Sequence, residues 1–384
     1  MRTILVATVG RSDFGIYRQV LNRIAATPGL RYELLVSGAH LSTKSGETVA
    51  EIEAENRPIA AKIPLPETGD TQSAMASAMG VALSGTAALF STKRPDLLLV
   101  AGDRFEMFAI AAAAVPFNIP IAHIHGGEVS FGAIDEVFRH AITKMAHLHF
   151  PATADYAARL LRMGEEPWRV TVTGAPGLDN VRLETLPDRA ELSRRFSIPL
   201  DRPPLLITFH PVTRQAEDAV RQIRAVLDAL HRIDVPVVFT APNADAGADL
   251  VRREIAGFLK ERAQSWLVEN FGALNYLAML RESAAMAGNS SSGLVEGPAF
   301  KIPVVNIGDR QQGRTRASNI IDVAADAEAI FAGIQRALDP AFRAGLADMI
   351  NPYGDGHASE KIAEVLASAE LDARLLVKRF YDGV

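Results

Sequence analysis

Short runs rich in Val, Ile and Leu alternate with longer segments of helical period along almost the whole chain. This alternation is typical of βαβ units, whose parallel strands are buried on both faces by helices. The predicted helices include residues 16–26, 72–91, 105–115 and a terminal segment, 357–376. The predicted strands cover residues 3–8, 32–37, 97–101, 121–125, 148–151, 170–173, 205–209, 237–240, 266–268, 284–287 and 304–307. The pattern therefore predicts an α/β fold.

The length of 384 residues exceeds one ordinary core, so two domains are expected. The segment TGAPGLDNVRLETLP, residues 173–187, is rich in Gly and Pro and lacks an apolar period, which is typical of an interdomain connection. We predict two doubly wound Rossmann-like domains, at residues 1–187 and 188–360. A terminal helix within residues 361–384 could cross back to the first domain.

The charge and composition exclude several classes of protein. A net charge of -5 provides no general attraction for nucleic acid or an anionic membrane. The absence of cysteine excludes disulfides, thiolate catalysis and Cys-ligated zinc. The N-terminal apolar stretch is too short for a signal sequence, and runs such as FAIAAAAVPFNIPIAHI contain Pro and fall short of the ~18–20 residues of a membrane span. We expect a cytoplasmic protein without a nucleic-acid or membrane partner.

Polar residues follow several of the predicted strands. Ligands of open parallel sheets bind beyond the carboxyl ends of the strands, where helix N-termini point at anions. A single polar loop usually only turns the chain, but six such loops together indicate a binding site. They are VGRSDFG, GDRFE, HGGE, HPVT, PNADAG and GNSSSG.

The loop GNSSSGLVE has the composition of a phosphate-binding turn without a Walker lysine. Ser290, Ser291 and Ser292 offer hydroxyls and backbone N–H groups at the predicted start of a helix. Glu296 lies one turn further along, where it could accept hydrogen bonds from a ribose diol. The alternative is an ordinary N-cap run with a surface glutamate.

Cationic and polar side chains in other loops are candidates for the same ligand. Arg310 and Arg314 follow the predicted strand 304–307, and Arg11 lies in the first strand-to-helix loop. Arginine forks suit phosphate oxygens, although surface arginines are common. His210 could hydrogen-bond or protonate a phosphate oxygen, unless a backbone carbonyl satisfies it. Asn243 could contact uracil or phosphate, or only form a turn.

The candidate acid–base groups lie in the first domain. Asp103, Glu128 and Asp135 stand near strand exits or a helix start, and acid–base chemistry needs such carboxylates in one pocket with divergent pKa values. Asp103 and Asp135 could instead be helix caps. We do not favour a metal site, because the histidines of this region match no zinc signature; they are His123, His125, His140, His147 and His149. No cofactor is predicted.

The chain resembles the hydrolysing UDP-N-acetylglucosamine 2-epimerase family, which makes N-acetylmannosamine for sialic acid synthesis or related sugars for legionaminic-type acids. The resemblance spans nearly the whole chain. It rests on GRSDFG, SGAHLS, AGDRFEM, IPIAHIHGGEVSFGAIDE, RHAITKMAHLHF, TGAPGLDN, FHPVT, GNSSSGLVEGPAF and NIGDRQQGR. It implies a fold of the glycosyltransferase-B type, with two domains facing a cleft. It also implies anti elimination of UDP, followed by hydration of the 2-acetamidoglycal to the C2-inverted sugar. The sequence does not choose among UDP-N-acetylglucosamine, its 2,4-diacetamido-6-deoxy analogue and a GDP-linked version as the substrate.

The resemblance also implies roles for single residues. Asp103 and Asp135 match catalytic carboxylates of the family, and His210 would take charge from the leaving phosphate. His125 stands where several relatives have a catalytic glutamate, so either Glu128 has taken over that role, which we favour, or His125 performs it. The implied UDP contacts are Arg11, Arg104, His210, Asn243, Ser290, Ser291, Glu296 and Arg310. We add Arg314 to these contacts on its position alone.

Three other functions compete with the hydrolysing reaction. They are a non-hydrolysing 2-epimerase that retains UDP, a glycosyltransferase of the same fold, and a UDP-sugar binding module without activity. The segments HGGE and RHAITKM favour the hydrolysing branch. The helices rich in Ala and Leu leave room for a symmetric interface, so we expect a homo-oligomer, either a dimer or a tetramer.

Overall fold

The structure is a computed structural model that describes residues 1–43, 47–66, 71–131, 134–211, 218–242 and 247–383. The chain divides into two compact units. Unit 1 comprises Met1–Glu128, Ile134–Asn180 and Tyr353–Val384, and unit 2 comprises Val129–Ala133 and Val181–Pro352. Each unit is built around its own parallel sheet.

The sheet of unit 1 has six strands in the order β3-β2-β1-β4-β5-β6, and its strand pairs are parallel. This is the order of the dinucleotide-binding fold, in which the direction of winding reverses between the first and fourth strands. The strands are β1 (Arg2–Thr8), β2 (Leu30–Ser37), β3 (Ile59–Ile63), β4 (Leu97–Ala101), β5 (Ile121–Ile124) and β6 (Leu148–Phe150).

Helices cover both faces of this sheet. Because side chains alternate along a strand, Ile4 and Val6 of β1 join one buried apolar cluster while Leu5 and Ala7 join another. The helices of unit 1 are α1 (Arg11–Ala26), α2 (Val49–Ala54), α3 (Gln72–Thr92), α4 (Phe105–Ala114), α5 (Asp135–Met145) and α6 (Ala154–Arg162), followed by α7 (Gly177–Leu183), which crosses the division between the units. Two further helices of unit 1 come from the end of the chain.

Unit 2 repeats the same topology. Its six-stranded parallel sheet has the order β12-β11-β10-β7-β8-β9, so winding reverses between β7 and β10. The strands are β7 (Leu205–Thr208), β8 (Val237–Thr240), β9 (Ser265–Val268), β10 (Ala285–Gly288), β11 (Val304–Ile307) and β12 (Ile320–Val323). The helices are α8 (Arg189–Phe196), α9 (Ala219–His231), α10 (Ala248–Glu261), α11 (Ala273–Glu282), α12 (Ser292–Val295), α13 (Ala327–Leu338) and α14 (Pro340–Ala344). The predicted doubly wound α/β class is confirmed.

The sequence prediction missed two strands, β3 and β12, and one predicted strand, residues 170–173, is wrong. β3 and β12 are edge strands whose sequences, IAAKI and IIDV, include a charged residue, so neither is the fully apolar run that marks a central strand. Residues 170–173 form only a single bridge, between His149 and Val170. The segment lies beside the end of β6, where the N–H groups of Thr171 and Thr173 donate to the carbonyls of His149 (2.9 Å) and Pro151 (3.1 Å), but it does not form a continuous strand.

The division between the units lies at Asn180, before the predicted boundary at Pro187. The predicted linker is partly helical, because α7 forms within it. Asp179 of α7 is buried and accepts hydrogen bonds from the backbone N–H groups of Ala358 (3.0 Å) and Ser359 (2.7 Å). This carboxylate caps a helix of the C-terminal tail, which ties the first part of the supposed linker into unit 1.

The C-terminal tail, Tyr353–Val384, belongs to unit 1 and starts before the predicted tail at residue 361. Its predicted helix over residues 357–376 is divided into α15 (Ala358–Ser368) and α16 (Ala373–Leu376). The side chain of Arg2 donates to the carbonyl groups of Leu366 and Ala369, which satisfies acceptors left at the end of α15. α15 packs against α1.

Helix α3 carries no charged residue and, by length and composition, could cross a membrane, with a mean hydropathy of 1.4. The expectation that apolar runs fall short of this length is therefore wrong for α3. One such helix is weak evidence, because core helices of soluble proteins satisfy the same criterion. Here five residues at helical spacing are buried against unit 1: Ala74, Ala78, Ala82, Thr86 and Phe90. The absence of a membrane partner stays a prediction.

Candidate active site

In unit 1 the reversal of winding brings the exits of three neighbouring strands together. β1 leads to Arg11, β4 leads to Asp103, and β5 leads to the turn from His125 to Glu128. The crevice at such a reversal is where ligands bind in open α/β sheets. Helix α5 begins with Asp135, so the sequence candidates of unit 1 belong to one edge of one sheet.

Three of the predicted catalytic residues converge on a buried arginine that the sequence analysis did not select. Arg139 of α5 is only 3% exposed. Its Nη2 donates to Oδ2 of Asp103, and its Nη1 donates to the carbonyl of His125 at 3.2 Å and lies 3.8 Å from Oε2 of Glu128. A buried guanidinium requires such charged partners. The side chains of Asp103 and Glu128 are therefore parts of one cluster.

Asp135 is the carboxylate of this cluster with a clearly altered proton affinity. Burial, reinforced by the charge of Asp103, raises the pKa of Asp135 above its usual range, although Arg104 acts in the opposite direction. Asp135 is not the helix cap that was the alternative interpretation, since Ile134 occupies the N-cap position of α5. Arg104 likewise occupies the N-cap position of α4 in place of Asp103.

His125 and Glu128 form a pair. Nδ1 of His125 lies 2.7 Å from Oε1 of Glu128, and Glu128 is 5% exposed. The two residues were alternatives for one role in the sequence analysis, but the structure couples them. Glu128 orients the imidazole, and the second ring nitrogen, Nε2, is then the one that faces away from the carboxylate.

The turn that carries this pair is tightly constrained. His125 adopts a left-handed backbone conformation with φ 64°, just beyond the end of β5. A Cβ atom on Gly126 would lie 3.0 Å from Nδ1 of His123 and 3.1 Å from Oγ1 of Thr143. His123 is fully buried, donates through Nε2 to the carbonyl of Gly102 (2.8 Å), and has a pKa lowered to about 3 by burial. His123 is thus a neutral support between two catalytic loops.

Two arginines of unit 1, Arg11 after β1 and Arg104 after β4, already have acidic partners. Arg104 forms a two-pronged ion pair with buried Glu106 (3.0 and 3.1 Å). Arg11, predicted in a loop, is the first residue of α1, and its Nη2 lies 2.9 Å from Oε1 of Glu51 with both side chains largely exposed. Exposed pairs of this kind are weak, so Arg11 can exchange Glu51 for a phosphate.

A buried carboxylate fixes the backbone before Arg11. Asp13 accepts hydrogen bonds from the N–H groups of Val9 (2.8 Å) and Gly10 (3.0 Å) and from Oγ1 of Thr8 (3.0 Å). Burial raises the pKa of Asp13 to about 6. Thr8 also lies 2.9 Å from Nε2 of His40, whose pKa burial lowers to about 4.

In unit 2 the reversal between β7 and β10 brings His210 beside the serine-rich loop. Asn289, almost fully buried, accepts from the backbone N–H of His210 (2.8 Å) and donates to its carbonyl (2.7 Å). The carbonyl of Asn289 accepts from Arg310 (3.0 Å). Burial, with a contribution from Arg310, lowers the pKa of His210 to about 4, so at neutral pH this imidazole is neutral and can donate one N–H.

The serine-rich loop is a network of hydroxyl groups. Oγ of Ser290 lies 3.2 Å from Oγ of Ser292, which forms a short hydrogen bond with the hydroxyl of Tyr276. Burial raises the pKa of Tyr276 to about 12. Ser291 occupies the N-cap position of α12, which has only four residues, so the hydroxyl and amide groups contribute more to an anion site here than a helix dipole does.

The remaining predicted contacts differ in their surroundings. Arg310 stands beside Asn289 and His210. Arg314 instead donates to the carbonyl of Val129 (3.1 Å) and lies near Oγ of Ser130, which ties that segment into unit 2. Glu296 is the C-cap residue of α12, and its negative charge contributes to the raised pKa of Tyr276. Asn243 lies outside the described residues.

Arg139, Asn289 and Tyr276 are the supporting residues that sequence reasoning missed. Arg139 had a signal, because it follows Asp135 by four residues and therefore shares its helix face. Asn289 lies within the loop that was selected, but its role in holding His210 depends on β7 and β10 being neighbours. Within the described part of the chain, no cluster of three or more His, Cys, Asp or Glu is arranged to hold a metal ion.

The two sheets and their polar exits define a class: doubly wound α/β proteins in which each unit carries functional groups at a topological reversal. The particular family follows from comparison with known proteins. A family model described as UDP-N-acetylglucosamine 2-epimerase matches residues 22–367. The chain belongs to the UDP-N-acetylglucosamine 2-epimerase family.

Relatives of known name align along the full length. The chain is 35% identical over 379 residues to the UDP-N,N'-diacetylbacillosamine 2-epimerase (hydrolyzing) of Legionella pneumophila, covering 98% of this chain and 99% of that protein. It is 34% identical over 384 residues to the polysialic acid biosynthesis protein P7 of Escherichia coli, covering 100% and 98%.

A solved structure shares the fold. The UDP-GlcNAc 2-epimerase from Neisseria meningitidis, bound to UDP-GlcNAc, matches with a TM-score of 0.83 and 18% identity over 96% of this chain and 100% of that chain. The predicted fold of the glycosyltransferase-B type is confirmed by this likeness together with the two doubly wound sheets.

Proposed function

We propose that this protein is a hydrolysing 2-epimerase. It would convert UDP-N-acetylglucosamine, or a 2,4-diacetamido-6-deoxy analogue, to UDP and the free C2-inverted sugar. The observation that carries the proposal is the cluster of Asp103, Glu128 and Asp135 at the strand exits of unit 1. The full-length similarity to a relative named as hydrolyzing supports the same reaction.

The first half-reaction is an anti elimination. The C2 proton of the sugar is weakly acidic, so departure of UDP leads and the anomeric carbon acquires oxocarbenium character. A carboxylate then removes the C2 proton, which leaves a 2-acetamidoglycal. Asp135 and Asp103 are the candidates. We favour Asp135 as the base that removes the C2 proton, because its raised pKa makes it the stronger proton acceptor. Inversion then requires that a different acid delivers a proton to the opposite face of C2.

The second half-reaction is hydration of the glycal. Glu128 activates a water molecule for addition at C1, with His125 as its hydrogen-bonded partner. A carboxylic acid returns a proton to C2 from the face that inverts this centre. The sum of the two steps consumes one water and yields UDP and the free sugar, so no cofactor enters the balance.

Unit 2 supplies the contacts to UDP in this proposal. Ser290 and Ser291 donate hydroxyl and amide hydrogens to the diphosphate, Arg310 contributes positive charge, and neutral His210 donates one N–H. Donors fixed in advance where charge develops on a leaving phosphate usually make the largest contribution to such catalysis. Glu296 remains the candidate for the ribose diol.

The test is the fate of the nucleotide. Purified protein is incubated with UDP-N-acetylglucosamine and with its 2,4-diacetamido-6-deoxy and GDP-linked analogues, and free UDP or GDP is followed by a coupled assay while NMR identifies the sugar. We expect stoichiometric nucleotide release with a free C2-inverted product. Formation of UDP-N-acetylmannosamine without free UDP would overturn the proposal in favour of the non-hydrolysing reaction.

That rival is the second candidate, because the family model and the Neisseria meningitidis structure carry the name 2-epimerase without the word hydrolyzing. A glycosyltransferase would instead release UDP only when an acceptor is added. An Asp103→Asn variant separates an enzyme from a binding module. It should lose turnover and still bind UDP, as measured by calorimetry.

We also propose that the protein works in the cytoplasm as a homo-oligomer. The lack of cysteine is compatible with a reducing compartment. Fractionation of expressing cells tests the location, and mass photometry at several protein concentrations tests the oligomeric state. A monomer at all concentrations would contradict the second part.

A further inference from the structure

One buried cation joins the catalytic loops that follow two different strands. Arg139 contacts Asp103, which follows β4, and it also contacts the turn after β5 through the carbonyl of His125 and the carboxylate of Glu128. We propose that Arg139 is a positioning residue, which sets the distance between the carboxylates of Asp103 and Glu128. This inference rests on the proposed hydrolysing function.

The shape of the side chain is the first argument. A guanidinium is a planar fork whose donors are fixed relative to each other. Nη2 of Arg139 points to Asp103, and Nη1 points to the His125 carbonyl and the Glu128 carboxylate. The two ends of the fork therefore hold the exits of β4 and β5 in register. A lysine would bring the same charge to the site without the second arm.

Burial is the second argument. With 3% exposure, Arg139 cannot bind a substrate directly, so its effect must pass through the residues that it holds. A buried arginine is costly unless carboxylates and carbonyls satisfy it, and removal of one partner leaves an uncompensated charge. The cluster is therefore arranged so that neither carboxylate can move without disturbing the other.

The distribution of charge is the third argument. The titratable groups that surround Arg139 are Asp103 after β4, His123 of β5, His125 and Glu128 after β5, and Asp135 on its own helix. His123 is neutral because burial lowers its pKa to about 3. The guanidinium offsets the repulsion between Asp103 and Glu128. Asp135 gains far less from it. Burial and then Asp103 raise the pKa of Asp135, whereas Arg104 and, to a smaller extent, Arg139 lower it.

The test compares three variants in the full-length enzyme. Arg139→Gln removes the charge, Arg139→Lys keeps the charge without the fork, and Arg159→Gln is the matched control. Arg159 donates to the carbonyl of Gly127 in the same turn and lies over the ring of Tyr156. Nucleotide release is measured from pH 5 to 9, UDP affinity by calorimetry, and folding by the thermal midpoint.

We expect Arg139→Gln to lower kcat by about 100-fold or more, because misplaced acid–base groups lose most of their contribution, while UDP affinity changes less than about threefold. Loss of the cation lets the neighbouring carboxylates hold their protons to higher pH, so the acid limb of the kcat profile should move to higher pH. Arg139→Lys should restore the acid limb but only part of kcat. Arg159→Gln should leave the limb in place.

The inference is overturned if folded Arg139→Gln or Arg139→Lys keeps wild-type kcat, or if the acid limb stays in place in Arg139→Gln. If Arg139→Gln does not fold, the position of the limb in Arg139→Lys and its partial kcat decide the question. A wild-type enzyme that releases no nucleotide from any sugar tested would contradict the proposed function instead, so the two failures are distinguishable.

Discussion

Nδ1 of His125 lies 2.7 Å from Oε1 of Glu128 across a turn of four residues. A carboxylate in this position fixes the tautomer and the orientation of the imidazole. Removal of either group should therefore impair water activation. We predict that Glu128→Gln lowers kcat by about 100-fold or more and that His125→Gln lowers it by about 10-fold or more.

Nucleotide release at saturating substrate measures both effects, and UDP affinity should stay within a factor of about three because general acid–base groups act on the chemical step. The double variant should be scarcely slower than Glu128→Gln alone, because residues that act as a unit are not additive. Effects that multiply would show that the two side chains act separately.

Gly288 allows the closest backbone approach in the phosphate-binding region. Its φ is 143°, and a Cβ atom there would lie 1.9 Å from the carbonyl oxygen of Thr208. We predict that Gly288→Ala displaces the loop of Ser290 and Ser292 and weakens UDP binding by about 10-fold or more, because the donors no longer point at the phosphates. Calorimetry measures the loss.

The matched control is Gly257→Ala in α10 of the same unit, where a Cβ atom would meet nothing within 4 Å. This change should raise stability by about 0.5–1 kcal/mol, because alanine is the better helix former. It should leave UDP affinity unchanged. Equal UDP affinities for the two alanine variants would refute the assigned role of Gly288.

His147 makes the stability of unit 1 depend on pH. Its Nδ1 accepts a hydrogen bond from the backbone N–H of Ile121 at 3.1 Å. Burial, followed by the charges of Lys378 and Arg169, lowers the pKa of His147 from 6.5 to about 4. The folded state thus binds this proton less well than the unfolded state does. The contribution is complete above pH 6.5 and is lost as the pH falls towards 4.

At pH 5 the loss from this group is at most about 2 kcal/mol. We predict that the thermal midpoint of the wild type falls between pH 7 and pH 5 and that His147→Asn, which keeps an acceptor near Ile121, falls less. The opposite trend of Asp13, whose raised pKa favours the folded state at low pH, cancels in this comparison. His231→Asn, at a half-exposed site on α9, is the control and should retain the wild-type difference.

The hydroxyl of Tyr276 holds the serine-rich loop through a hydrogen bond to Ser292. Because burial raises its pKa to about 12, this hydroxyl stays protonated and hydrogen-bonds to Ser292. Tyr276→Phe should weaken UDP binding by about 5- to 30-fold, which corresponds to about 1–2 kcal/mol for a lost buried hydrogen bond. Tyr353→Phe removes a hydroxyl that lies 3.0 Å from that of Tyr156 in unit 1. It should lower stability without a change in UDP affinity.

Local sequence was sufficient for much of the fold. The central strands of both sheets are continuous apolar runs, and their exits carry the polar residues that drew attention to Asp103, His210 and Ser290. β3 and β12 could not be recognised in this way, because Lys62 and Asp322 interrupt their apolar runs. The other two edge strands, β6 and β9, were predicted.

The supporting contacts of the site are the part that sequence could not supply. His210 is held by Asn289, and Asp103 by Arg139, across separations of 79 and 36 residues. Such pairs depend on which strands are neighbours in the sheet. The order of the strands cannot be predicted from the periodicity of any one segment. The coupling of His125 to Glu128 is local, but it requires the left-handed backbone at His125, which a non-glycine residue rarely adopts.

The return of the tail to unit 1 has a consequence for synthesis of the protein. α15 packs against α1, and the N–H groups of Ala358 and Ser359 donate to Asp179. The tail that supplies α15 leaves the ribosome only after the whole of unit 2. At roughly 5–20 residues per second, unit 2 has time to fold before the tail emerges. The unit that begins the chain is therefore completed last, and an incomplete chain released early would expose the apolar side of α1 to chaperones and proteases.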